Sequence, residues 1–157
     1  MEVLWKDIYF LQKETNAILA QSAAKGPKGM RMRADPRSKA APDESSVITK
    51  ATLRTAERLG IRNTVLAKIL GVSEPTISRM RQGKYKLDRG QKAFELAILL
   101  VRLYRSLDGV VAGDDNVAAD WLKNENTALD GIPLDLIQSV SGLTNVIAYI
   151  DSRRAVV

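Results

Sequence analysis

Residues 63–83, NTVLAKILGVSEPTISRMRQG, constrain the fold of this 157-residue chain more than any other stretch. The segment 63–70 has a helical pattern, and Gly71 ends it, because a residue without a Cβ adopts a positive φ most easily. Ser73 is a good N-cap for a second helix, and Gly83 ends that helix. The sequence therefore predicts two short helices joined by a tight turn.

Two short helices with a glycine-containing turn match the helix-turn-helix pattern, in which the second helix enters the major groove of DNA. Ala67 lets the helices approach closely, and Val72, Ile77 and Met80 supply the apolar contacts that fix them across each other. An ordinary helical hairpin is the alternative. The remaining positions of the second helix face outward, and we predict DNA contacts for Glu74, Pro75, Thr76, Ser78, Arg79 and Arg81.

Basic residues are concentrated around this pattern. Residues 49–107 hold 13 Lys/Arg against 4 Asp/Glu, whereas residues 108–157 hold 3 against 8. This asymmetry indicates a basic module for a polyanion and an acidic module for another partner, although a chance difference between two solvated surfaces explains the acidic part equally well. Residues 25–39 carry six Lys/Arg against one Asp, so this stretch either lies along phosphates or is a solvated linker.

The composition excludes several kinds of site. The chain has no cysteine and no histidine, which excludes disulfides and removes the commonest metal ligand and general base. No carboxylate pair has a diagnostic spacing, and no Walker-type phosphate loop is present. We therefore expect a protein that is not an enzyme and binds no metal or cofactor. We expect no signal peptide, because residues 1–14 carry charges throughout and have no uninterrupted apolar core. The most apolar stretch, 94–104, is broken by Glu95 and Arg102, so we also expect a cytoplasmic protein without a membrane partner.

Strand-like alternation is nowhere sustained, so the predicted fold class is all-α, a helix-turn-helix domain followed by a small helical domain. Four segments are predicted: an N-terminal amphipathic helix in 1–23, a basic linker or arm in 24–48, the helix-turn-helix domain in 49–107 and the small helical domain in 108–157. The other predicted helices lie at 49–60, 88–107, 115–129, 133–140 and 144–153. Gly142 is interpreted as a helix stop.

The stretch LAKILGVSEPTISRMRQG, residues 66–83, resembles the Xre (Cro/C1-type) helix-turn-helix family. The resemblance implies base-edge positions at Glu74, Pro75, Ser78 and Arg79. It implies phosphate positions at Asn63, Lys84, Tyr85 and Lys86. Arg to guanine and Glu to cytosine are the natural pairings for reading bases. Pro75 donates no hydrogen bond, so the sequence predicts narrow specificity or few base contacts.

A second motif lies in the acidic part of the chain. Trp121 and Leu122 give one helix a heavy apolar anchor, and Pro133 opens the next helix. Together with NTALDGIPLDLIQSVSG (126–142) and VIAYIDSRR (146–154), they resemble the C-terminal toxin-binding domain of Xre/MbcA/ParS-type antitoxins. The residues that this resemblance implies for toxin binding are Trp121, Leu122, Asn126, Leu129, Pro133, Leu134, Ile137, Val146, Tyr149, Ile150, Arg153 and Arg154.

The two resemblances imply an antitoxin of a type II toxin–antitoxin pair. Its implied partners are operator DNA, which the helix-turn-helix binds to repress the shared promoter, and a RES-domain toxin that consumes NAD. The C-terminal end is implied to block the toxin's pocket. The tail 151–157 then places Arg153 or Arg154 in a pocket for an anionic cofactor; alternatively, both arginines meet the last helical carbonyls.

The alternative function is a plain dimeric Xre-family repressor whose C-terminal domain serves dimerisation or ligand sensing. A homodimer is expected in either case, because one helix-turn-helix buries little surface and two-fold dimers read half-sites about one DNA turn apart. The N-terminal helix 2–23 and the long helix 88–107 are both candidate dimer interfaces.

Overall fold

The computed structural model describes residues 43–154, where the backbone forms seven helices and one isolated β-bridge. The helices are α1 (Glu44–Arg58), α2 (Asn63–Leu70), α3 (Glu74–Arg81), α4 (Lys92–Val110), α5 (Asp115–Lys123), α6 (Pro133–Leu136) and α7 (Val140–Arg154). The predicted all-α class is confirmed for this range. The predicted N-terminal helix, residues 24–42 of the predicted arm and residues 155–157 of the tail lie outside the described residues.

The start of α1 lies inside the stretch predicted as linker, at Glu44 rather than at residue 49. Asp43 sets this start, because its carboxylate accepts hydrogen bonds from the N–H of Ser45 (3.3 Å) and the hydroxyl of Ser46 (2.8 Å). Ile48 is buried in the core. The predicted segment boundary at residue 48 therefore falls within α1. The first turn of α1 is polar, but the Asp43 cap and the buried face of the helix stabilise it.

α2 and α3 lie at their predicted positions, and the turn between them has the predicted chemistry. Gly71 has a φ of +66°, and a Cβ there would meet no atom within 4 Å, so the backbone conformation rather than lack of space favours glycine. Ala67, Ile77 and Met80 are buried, and Val72 is partly buried against the same core. The predicted contacts between the two helices are confirmed.

α4 is the longest of the helices between residues 43 and 154 and lies at the centre of the core, with α1 and α7 packed against it. It begins later than the predicted residue 88 because residues 88–91 form a turn, and it ends at Val110 rather than at residue 107. The chain before this turn is held on α1, where the buried N–H of Leu87 donates to Thr49 Oγ1 (2.9 Å). Between residues 43 and 154, no helix combines the length and the apolar character that crossing a membrane requires.

The predicted bounds of the three C-terminal helices are wrong. α5 ends at Lys123 rather than at residue 129, α6 ends at Leu136 rather than at residue 140, and α7 begins at Val140 rather than at residue 144. The chain between α5 and α6 turns through a bridge between Asn126 and Gly131, whose N–H and C=O groups bond each other (2.9 and 3.3 Å). These local bonds replace the helical ones that were expected for residues 124–129.

Gly142 lies inside the first turn of α7 and does not stop a helix. Its N–H donates to Ser139 Oγ (3.1 Å), and a Cβ on it would overlap the backbone carbonyl of Leu136. Glycine is needed because α7 passes directly against the end of α6. α7 then packs along α4 through its buried residues Leu143, Val146, Ile147 and Ile150.

Candidate nucleic-acid and partner surfaces

α3, the recognition helix of the pattern, presents an apolar side to the core and a polar side to solvent. Ile77 and Met80 are buried, which fixes the rotation of the helix. The opposite side carries the six residues that the sequence predicts for DNA contact, of which four are exposed while Thr76 and Ser78 are half-buried. The structure thus brings all six together on one accessible helix face, which we call the recognition face.

Arg79 lies along the recognition face. Its Nε donates to the carbonyl of Pro75 (3.4 Å) and its Nη2 to Thr76 Oγ1 (3.4 Å), which is itself 2.9 Å from Ser73 Oγ. These contacts direct the guanidinium toward the N-terminal end of α3, the end that enters the groove in helix-turn-helix modules. Because a guanidinium has five N–H donors, others stay available for a guanine edge. Pro75, which has no N–H, contributes its carbonyl to this arrangement.

The residues predicted to contact phosphates lie at the two ends of the helix pair. Arg81 Nε donates to Asn63 Oδ1 (2.9 Å), which joins the end of α3 to the start of α2. Tyr85 OH donates to Gln91 Oε1 (3.1 Å), and Lys84 is exposed. These residues border the recognition face, as phosphate contacts do when they position a module on DNA.

Lys86 is paired with an acidic residue, Asp43, that is not among the predicted contacts. Its Nζ lies 3.1 Å from Oδ2 of Asp43, the N-cap of α1. Hydrogen bonds from Ser46 and from Lys86 lower the pKa of Asp43. A second pair joins Arg89 and Glu44 at 3.2 Å. The start of α1 therefore places one carboxylate beside a predicted phosphate contact, Lys86, and a second beside Arg89. The two adjacent acidic residues that follow the basic stretch 25–39 are the sequence feature that could have indicated this.

The C-terminal half presents a cluster of aromatic and cationic side chains. Trp121 on α5 stacks on Tyr149 of α7, with ring centroids 6.4 Å apart and an interplanar angle of 15°. The guanidinium of Arg153 lies 5.2 Å from the centroid of the Tyr149 ring. Val117, one turn before Trp121, is 49% exposed. We call Val117, Trp121, Tyr149 and Arg153 the aromatic surface; Trp, Tyr and Arg are the residues that most often carry binding energy in protein interfaces.

Five of the residues predicted for toxin contact are buried and pack the core: Leu122, Pro133, Ile137, Val146 and Ile150. Asn126 organises the turn before α6, because its Oδ1 accepts from the N–H groups of Ala128 (3.0 Å) and Leu129 (3.3 Å). Leu129 and Leu134 are half-buried against the core. The motif therefore mixes residues that build this part of the fold with residues that a partner can reach.

The two arginines near the end of α7 lie in different surroundings. Arg153 lies over Tyr149 on the aromatic surface. Arg154 lies beside α4, where a Cβ on Gly109 would come within 3.2 Å of its Nε. Both side chains are exposed, but the structure does not bring them together.

A polar cluster of Arg58, Tyr104 and Asp115 joins α1, α4 and α5. Arg58 Nη1 donates to Tyr104 OH (2.8 Å), Tyr104 OH donates to Asp115 Oδ1 (2.7 Å), and Arg58 lies 3.3 Å from Asp115 Oδ2. Burial and the hydrogen bond to Asp115 raise the pKa of Tyr104 to about 12, and burial also raises the pKa of Asp108. No sequence pattern announces this cluster, because its hydrogen-bonded pairs are 46 and 11 positions apart.

Two family models match the chain, and they separate the two surfaces. The antitoxin Xre-like helix-turn-helix domain matches residues 39–102, which include the recognition face, and the antitoxin Xre/MbcA/ParS C-terminal toxin-binding domain matches residues 106–155, which include the aromatic surface. A comparison with curated proteins finds no match. Both matched families are regulatory, which confirms the prediction that the chain is not an enzyme. This chain therefore belongs to the antitoxins that join an Xre-like helix-turn-helix domain to an Xre/MbcA/ParS C-terminal toxin-binding domain.

Proposed function

We propose that this antitoxin neutralises a RES-domain toxin, which consumes NAD, and represses its own operon in the cytoplasm. The observation that carries the proposal is that one chain presents two accessible surfaces of different chemistry, the recognition face and the aromatic surface, each within a matched antitoxin domain. The assignment of the toxin to the RES class rests on the resemblance of the motif in 121–154 to antitoxins of that class.

Repression is assigned to the recognition face of a homodimer. Arg79 reads a guanine edge and Glu74 accepts from a cytosine amino group, since both are exposed on α3. Asn63, Lys84, Tyr85 and Lys86 hold the phosphates on either side. Two copies are needed to read two half-sites, because a single short helix contacts few base pairs.

Toxin binding is assigned to the aromatic surface and the C-terminal tail. The stacked rings of Trp121 and Tyr149 are half-buried, so a partner can cover them without opening the core. Arg153 is assigned to the toxin's pocket for an anionic cofactor. Its guanidinium is exposed, so it can reach such a pocket, and it lies over the Tyr149 ring at the aromatic surface. Arg154 is the second candidate for the same pocket. The buried residues of the motif contribute by holding α5, α6 and α7 in place.

Co-expression with the product of the neighbouring gene tests this division. Deleting the last helix would remove buried core residues, so surface substitutions are the sharper test. Val117→Asp combined with Arg153→Glu should abolish rescue of growth, because the first places a charge in the contact and the second reverses one. Arg79→Ala should keep the rescue and release the promoter. Circular dichroism checks that both variants are folded.

Three readouts separate the parts of the proposal: growth, promoter activity and cellular NAD. Full rescue by the Val117→Asp/Arg153→Glu variant would contradict the aromatic surface as the toxin site. Undiminished NAD during expression of the toxin alone would contradict the RES assignment and leave the antitoxin function standing. Wild-type repression by Arg79→Ala would contradict the role of α3. Arg153→Glu and Arg154→Glu, tested singly, show which arginine the toxin contacts.

A further inference from the structure

Four residues on the solvent side of α4 belong to neither surface. Glu95, Ile98, Leu99 and Arg102 have the spacing i, i+3, i+4 and i+7, which places them on one face of the helix. Glu95 and Arg102 are exposed, and Ile98 and Leu99 are half-buried. We call these four residues the α4 seam. A stripe with an apolar centre and charged ends is typical of a helix that packs against another helix.

The α4 seam is complementary to itself in an antiparallel orientation. When a two-fold axis passes between positions 98 and 99, each Glu95 faces Arg102 of the second copy, and each Ile98 faces Leu99 of the second copy. Both contacts occur twice. A parallel, in-register pair would instead place like charges opposite each other. The order of charges along α4 therefore selects an antiparallel, two-fold pair.

We propose that the α4 seam is the interface between two copies of this chain, an inference that rests on the dimeric repressor proposed above. A cleft of about 210 Å³ lies beside the seam, lined by Leu99 and Arg102 of α4 and by Thr144, Ile147, Ala148 and Asp151 of α7. It gives an apolar side chain of the second copy room to pack next to Leu99.

Arg102 is held by one hydrogen bond and keeps further N–H donors for the contact with Glu95 of the second copy. Its Nη2 donates to Asp151 Oδ2 (3.0 Å), whose other oxygen accepts from Ser106 Oγ (2.6 Å). The Arg102 side chain is nevertheless 61% exposed. Asp151 thus holds the guanidinium through one nitrogen, and the remaining N–H groups are available to Glu95 of the second copy.

The dimer contact and the toxin contact lie on different flanks of α7. Thr144, Ala148 and Asp151 line the cleft beside the seam, whereas Tyr149 and Arg153 belong to the aromatic surface. At 3.6 residues per turn, these two groups are separated by about 150° around the helix. A second copy and a toxin can therefore bind the same chain together.

Sedimentation equilibrium of the full chain tests the α4 seam. E95R brings like charges together at both ends of the seam and should weaken self-association about tenfold, and E95Q should have a smaller effect. The matched control is E57R, the same charge change at an exposed position of α1, which should leave self-association unchanged. R102E should also weaken self-association. An equimolar mixture of E95R and R102E restores opposite charges at both ends, so it should form a mixed dimer with about wild-type affinity.

Each outcome decides between pairing at the seam and another explanation. Wild-type self-association of E95R would overturn the seam and leave the dimeric repressor standing. A monomeric wild-type chain would overturn the dimer and the seam with it. Weak association of the mixture would overturn charge pairing, because general destabilisation would then explain the single variants. Growth rescue by E95R should persist; its loss in a folded variant would assign the seam to the toxin instead.

Discussion

The two surfaces of this antitoxin differ in chemistry and in construction. The recognition face consists of Pro75 and five polar or charged side chains on one eight-residue helix. The aromatic surface takes its residues from two helices, which a stacked pair of rings joins. Contacts to a polyanion depend on charge and weaken steeply with salt, whereas aromatic contacts depend on shape and buried area. Because its residues come from two helices, the aromatic surface depends on tertiary packing far more than the recognition face does.

The largest expected effect concerns the two glycines that support these surfaces. Gly142→Ala would place a Cβ against the carbonyl of Leu136, so α6 and α7 must separate, and we expect a loss of about 3 kcal/mol in the free energy of unfolding. Gly71→Ala meets nothing within 4 Å and costs about 1 kcal/mol through its positive φ. Urea denaturation measures both values.

The same pair of variants also separates the functions. The folded fraction of Gly142→Ala should bind toxin more weakly, because Gly142 and Tyr149 belong to the same helix, α7, and a shift at its start moves Tyr149. Gly71→Ala should reduce DNA affinity and spare toxin binding. Equal destabilisation by the two substitutions would show that close packing is not what requires glycine at position 142.

A large effect confined to DNA is expected for Arg79→Ala. Loss of one base-reading guanidinium costs about 1–3 kcal/mol, so affinity for the promoter should fall at least about tenfold. Toxin binding should not change, because the aromatic surface shares no residue with α3. Fluorescence anisotropy on a promoter fragment measures the first effect and pull-down the second. Arg54→Ala, at an exposed arginine of α1, is the control; an equal loss there would mean that net charge, not base reading, explains the result.

The helix-turn-helix part was predictable because its signals are local. Gly71 and Ser73 lie next to each other in the chain and end one helix and begin the next, whatever the rest of the molecule does. The predicted start of this helix, residue 49, is wrong because the stretch before it is rich in Gly, Pro, Ser and charge and indicates a linker, whereas the capping carboxylate of Asp43 begins α1 earlier.

The C-terminal part was less predictable because its signals are tertiary. Gly142 looked like a helix stop, since a stop and a close approach of two helices require the same residue type. Leu122, Val146 and Ile150 looked like contact residues, since an apolar side chain in a motif serves a core and a partner equally well. None of the residues predicted for DNA is buried, although Tyr85 packs against the edge of the core.

A smaller loss of stability is expected in the polar cluster of Arg58, Tyr104 and Asp115, which joins residues of the two matched domains. Tyr104→Phe removes the hydroxyl that bonds Arg58 and Asp115, and we expect a loss of about 1–2 kcal/mol in the free energy of unfolding at pH 7. The pKa of Tyr104 is raised from 10.0 to about 12 in the folded chain. The unfolded chain therefore loses this proton first, so the stabilisation is complete below pH 10 and is lost between pH 10 and about 12.

Urea denaturation between pH 8 and pH 12 measures how the free energy of unfolding changes with pH. The wild type should lose stability above pH 10 more steeply than Tyr104→Phe, so the difference between them should narrow. Tyr149→Phe, which removes a hydroxyl from the aromatic surface, is the control and should track the wild type. A constant difference between wild type and Tyr104→Phe across the range would contradict the raised pKa of Tyr104, which burial and the hydrogen bond to Asp115 cause.

The smallest expected effect lies at the edge of the DNA-facing module, where Asp43 holds Lys86. Hydrogen bonds from Ser46 and Lys86 lower the pKa of Asp43, so its carboxylate stays ionised and competes with phosphates for Lys86 at neutral pH. Asn caps a helix about as well as Asp, so Asp43→Asn should keep the start of α1 and release Lys86. Promoter affinity should rise about twofold at low salt.

Salt dependence distinguishes this release from a change in fold. One added phosphate contact steepens the plot of log affinity against log salt by up to about 0.9 per chain, and anisotropy titrations between about 50 and 200 mM salt resolve that change. Asp43→Ala loses the cap as well as the charge, so its lower helix stability separates capping from pairing. If Lys86 meets a phosphate, Lys86→Ala should cancel the gain of Asp43→Asn in the double variant. An unchanged slope in Asp43→Asn would remove Lys86 from the phosphate contacts. The recognition face would then depend on Asn63, Lys84 and Tyr85 for its position on DNA.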